Sequence, residues 1–66
     1  MRENEIVWKH RAVRHMAGRL CKNGVAETCA IEIAHHECET VWPDHGEYAT
    51  PEAAADAAYE SLADAV

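Results

Sequence analysis

The sequence predicts an α+β mini-domain in the order β-β-β-α: a three-stranded antiparallel meander with a C-terminal helix packed on one face. Three observations carry this expectation. The dipeptide "NG" at 23–24 is the strongest short-range sign of a two-residue hairpin turn. Apolar and polar residues alternate on both sides of it. The tail "YATPEAAADAAYESLADAV" joins a helix start signal to an Ala-rich run. The 66 residues make one domain, residues 1–66, with no Phe, two Trp and two Tyr. A core this small is marginal alone, and a partner or a second copy would help it.

Residues 5 to 17 read in two ways. As a strand, Ile6, Trp8, Ala12 and Met16 alternate with Lys9, Arg11 and His15. As a helix, Ile6, Val13, Ala17 and Leu20 share a face, and Arg11, Arg14, His15 and Lys22 share the opposite one, with Gly18 placed to terminate it. The helix leaves Trp8 off the apolar stripe, so the strand is preferred. The helix gives the alternative order, α-β-β-β-α.

A type I′ turn at Asn23-Gly24 fixes the hairpin register. Leu20 then faces Glu27, Gly18 faces Cys29, Met16 faces Ile31 and Arg14 faces Ile33. Cross-strand partners share a face. Met16, Leu20, Cys29, Ile31 and Ile33 therefore form the core side, and His15, Arg19, Thr28, Ala30 and Glu32 the outer side. Gly18 leaves room for a close approach beside Cys29. A second reversal at His36-Glu37 sets Ile31 opposite Trp42, which joins the core. Pro43 ends the third strand, and "PDHG" is a turn cluster.

The last element is a helix with Thr50 as N-cap, Pro51 at its first position and Glu52 in its first turn, where a carboxylate suits the helix dipole. Ala54, Ala58 and Leu62 with Ala55, Tyr59 and Val66 define its apolar stripe. Glu52, Asp56, Glu60 and Asp64 recur every four residues as an acidic ridge. Like charges at that spacing weaken an isolated helix, so the ridge sits in water or meets something basic.

The stretch "GEYATPEAAADAA" after short strands resembles the end of small phage-type and bacterial accessory proteins, in which a helix closes a meander. The alternative order resembles the double-stranded-RNA-binding fold shared by HicA-type toxins. That family implies basic residues at the start of the last helix, where this chain reads "PEAAAD", so no functional residue is carried over.

Charge is strongly segregated. The net charge is −6, yet all six Lys and Arg lie in the first 22 positions, with only Glu3 and Glu5 to offset them. From Asn23 onward there are ten acidic residues and no Lys or Arg. Such asymmetry implies either a charged partner or halves that neutralise each other in the fold.

Several chemistries are disfavoured. "CKNGVAETCAIEIAHHEC" holds all three Cys and two adjacent His, but no pair has the close spacing of a zinc knuckle. Only His35 and Cys38, with His10 or His45, could meet, and no metal or other cofactor is expected. Cys38 beside His35 or His36 suits a thiolate–imidazole pair, but Glu37 and Glu39 oppose thiolate formation. There is no Gly-rich phosphate loop, and the chain is short for a substrate pocket. It is read as a non-enzyme. No run approaches the roughly 18 apolar residues of a membrane span. The polar opening "MRENEIVWKH" has no signal-peptide core, so a reducing cytoplasm is expected and the odd Cys count agrees.

The sequence thus predicts a small acidic protein that binds a protein partner with a basic surface, as a regulator or inhibitor. Glu52, Asp56, Glu60 and Asp64 are the expected contacts. In size and charge it resembles phage-encoded inhibitors of restriction or CRISPR machinery. Trp8, Arg11, Arg14 and Arg19 form the second candidate surface, for a homodimer paired through opposite charges or, as the alternative function, for nucleic acid.

Overall fold

Asn4 opens the chain as a helix, not as a strand. The computed structural model describes residues 4–64. In it the Asn4 side-chain oxygen accepts from the backbone N–H groups of Ile6 at 2.9 Å and Val7 at 3.2 Å, an N-cap that satisfies two otherwise orphaned donors. Helix α1 runs Glu5–Lys22. Its buried stripe is Trp8, Ala12, Met16 and Leu20, one residue per turn, with Val13 beside them.

The chain leaves α1 through Asn23-Gly24-Val25. The Gly24 N–H donates to the Cys21 carbonyl at 3.1 Å and the Val25 N–H to the Leu20 carbonyl at 3.0 Å. These two bonds, with Gly24 at φ +92°, make a Schellman helix end. Val25 and Leu20 both belong to the core cluster, which supplies the apolar contact that usually accompanies it.

Helix α2, Glu27–Val41, buries Ala30, Ala34 and Cys38 at a four-residue spacing. A 3₁₀ helix, Trp42–Glu47, follows. There the His45 ring stacks on Trp42 (centroids 3.8 Å apart, planes 3° apart) and its Nδ1–H donates to the Trp42 carbonyl at 2.7 Å. Trp8 meets Trp42 edge-on at 5.3 Å, tying this segment to the start of α1. Helix α3, Pro51–Asp64, starts as its sequence predicts: the Thr50 hydroxyl accepts from the Ala53 N–H at 3.0 Å. Ala54, Ala55 and Ala58 are buried, with Tyr59 and Leu62 packed against them; Val66 lies outside the described residues.

Helix α1 packs against both α2 and α3, and α2 also touches α3, giving a three-helix bundle-like body of 37 × 22 × 15 Å. Among the described residues there is no strand. The expected α+β fold with its three-stranded meander, in the order β-β-β-α, is therefore corrected. So is the alternative α-β-β-β-α, whose two outer helices exist but whose middle is helix α2.

The reasons are local. A type I′ turn needs positive φ at both central residues. Asn23 has φ −97° and only Gly24 is positive, so the same dipeptide ends a helix. The register built on that turn fails with it: Cys29 and Ile31, expected in the core, are exposed, while Ala30, expected outside, is fully buried. Gly18 lies within α1, not at a strand bend or a helix end. Trp8 lies on the apolar stripe once that stripe is drawn through positions 8, 12, 16 and 20. No described helix is long and apolar enough to cross a membrane.

Candidate functional site

The sequence-predicted surfaces meet each other. Arg11, His15 and Arg19 lie one turn apart along α1, and Glu52 and Asp56 one turn apart along α3. Arg11 donates from Nε and Nη2 to the two carboxylate oxygens of Glu52, at 3.1 and 2.8 Å. Arg19 donates from Nη1 to Oδ1 of Asp56 at 2.7 Å, and His15 Nε2 reaches the same oxygen at 2.8 Å. The Arg19 guanidinium also lies 4.2 Å from the centre of the Tyr59 ring. The pairs follow the same order along both helices, so α1 and α3 run parallel.

This seam sets the carboxylate chemistry. Arg11, and then the Glu52 backbone N–H, hold the Glu52 carboxyl below its ordinary range. Arg19 first and His15 second do the same for Asp56. Glu60 is exposed and has no ionic partner among the described residues. The side chain of Asp64 lies outside them. Of the other predicted residues, Trp8 is 2% exposed, which leaves no ring face open to a stacking base, and Arg14 is exposed with no carboxylate partner among the described residues. The shared four-residue spacing of 11/15/19 and 52/56 was a readable signal for the seam. The preferred strand reading of residues 5 to 17 hides it.

The thiols are separated. Cys21 and Cys29 are exposed and Cys38 is buried, away from any nucleophilic role. Burial, and then the charges of Glu37 and Glu39, push the Cys38 thiol up to about 11. Among the described residues no three His, Cys, Asp or Glu side chains come together as a metal site.

One surface was not anticipated. Helices α1 and α2 enclose an open, mostly apolar groove of about 400 Å³, lined by Val13, Ala17, Gly18 and Cys21 on α1 and by Ile31 and His35 on α2. Beyond His10 and His35 it continues into a second hollow of about 330 Å³ beside Ile6, Lys9 and Glu39. No described α3 side chain lines either part. Ile6 is 81% and Ile31 40% exposed there. Of the face that the helical reading grouped, Ile6, Val13, Ala17 and Leu20, the structure buries Val13 and Leu20 in the core; Val13 and Ala17 also edge the groove, and Ile6 edges the hollow beyond it.

Charge is uneven across the body. Among the described residues Glu27, Glu32, Glu37, Asp44, Glu47 and Glu60 have no ionic partner, against only Arg14 and Lys22 among the Lys and Arg side chains. No family model, curated protein or solved structure matches the chain.

Proposed function

We propose that this chain is a small acidic, non-enzymatic protein of the reducing cytoplasm that binds a protein partner with a basic surface and acts as its regulator or inhibitor. The observation that carries the reading is the distribution of unpaired charge. Among the described residues, Lys9, Arg11 and Arg19 pair with carboxylates within the fold and leave Arg14 and Lys22, while six carboxylates on α2, the 3₁₀ helix and α3 have no ionic partner. Such a field speeds encounter with a cationic partner and competes with nucleic acid for it.

The same geometry favours this reading over nucleic-acid binding. Arg11 and Arg19 already neutralise Glu52 and Asp56, leaving Arg14 alone of the three arginines for phosphate. It also favours binding over catalysis, since the buried Cys38 is poorly placed to attack anything. Two exposed thiols suit a reducing compartment.

The test is affinity capture from lysate at low and high salt, comparing the natural chain with a variant carrying E27Q, E32Q, E37Q, E47Q and E60Q. The expected result is a salt-sensitive protein partner captured by the natural chain and lost by the variant. A partner retained by the variant, or a mobility shift of short DNA or RNA duplexes by the natural chain at physiological salt, would overturn the reading.

A further inference from the structure

We draw no further inference here: the strongest candidate, the open hollow of about 310 Å³ on the α1–α3 face lined by Arg11, Arg14, His15 and Glu52, belongs to the ion-paired seam already described, where Glu52 holds Arg11 and Asp56 holds His15, and nothing in the structure shows what would occupy it.

Discussion

Arg11 holds Glu52 in a two-pronged grip across 41 positions of sequence, with both guanidinium-to-carboxylate distances at or below 3.1 Å. One turn further on, Arg19 and His15 share a single oxygen of Asp56. The α1–α3 contact is therefore zipped by charge along its outer edge and by alanine inside.

This seam predicts an acid limb in stability. Both carboxyls are held below their ordinary range in the fold, Glu52 by Arg11 and Asp56 by Arg19. Their contribution is present above the unfolded-chain values, near 4, and is lost as pH falls through the lower folded values. Thermal melts from pH 7 down to pH 3 should stay level and then drop below about pH 4. The variant E52Q/D56N should start less stable and show a shallower acid limb. In about 1 M sodium chloride, where the screening length is about 3 Å, the gap between the two proteins should narrow, since both carboxylates are open to solvent. Acid limbs that stay parallel would show that the seam does not act in this way.

Two glycines should respond in opposite directions. Gly18 sits mid-helix, exposed, with open space where a Cβ would go, so Gly18→Ala should stabilise by about 1 kcal/mol, roughly 4–8 °C in Tm for a domain of this size. Gly24 has φ +92° at the Schellman end, so Gly24→Ala should destabilise by about 1 kcal/mol. Circular dichroism melts check both. A hairpin centred on residues 23–24 would give losses at both positions, because Gly18 would then lie beside Cys29.

That contrast also marks how far the sequence was legible. Helix α3 could be read to the residue at its start, because Thr50, Pro51 and Glu52 act locally and the cap needs no tertiary contact. Helices α1 and α2 could not, because the deciding residues carry double meanings. Asn-Gly serves a type I′ turn or a Schellman end, and the choice depends on the φ of Asn23, which no composition encodes. Cys29, Ile31 and Ile33 alternate like a strand, yet the residues that α2 buries are Ala30, Ala34 and Cys38, and the modest hydrophobicity of alanine conceals their helical period. The charge segregation was plain, and neutralisation within the fold was one of its two readings. What stayed hidden was that Glu52 and Asp56 answer to Arg11 and Arg19, a matching that becomes visible only once both segments are helices.

The thiols should divide two to one. Cys21 and Cys29 are exposed, whereas Cys38 is 2% exposed with its thiol pushed up to about 11. Only thiolates react, so near pH 8 Cys38 would be about one part in a thousand ionised even if a reagent reached it. Native labelling with a thiol reagent should modify Cys21 and Cys29 within minutes and Cys38 only in denaturant, as mass spectrometry of the digested chain would show. Fast labelling of Cys38 in the native protein would contradict its place in the core.

The core should tolerate change at its alanines in neither direction. Ala12, Ala30 and Ala34 are fully buried, and Ala54, Ala55 and Ala58 nearly so, while Met16 is the largest fully buried side chain. The methyl groups let the helices approach closely. Ala34→Leu therefore adds three carbons where none fit and should cost about 1–3 kcal/mol by overpacking. Ala34→Gly should cost about 1 kcal/mol from helix propensity, before any cavity is counted. Ala53→Leu on exposed α3 surface is the control and should change stability by less than about 0.5 kcal/mol. Urea melts of the three variants decide the matter, because a loosely packed body would absorb Leu at position 34 as readily as at position 53.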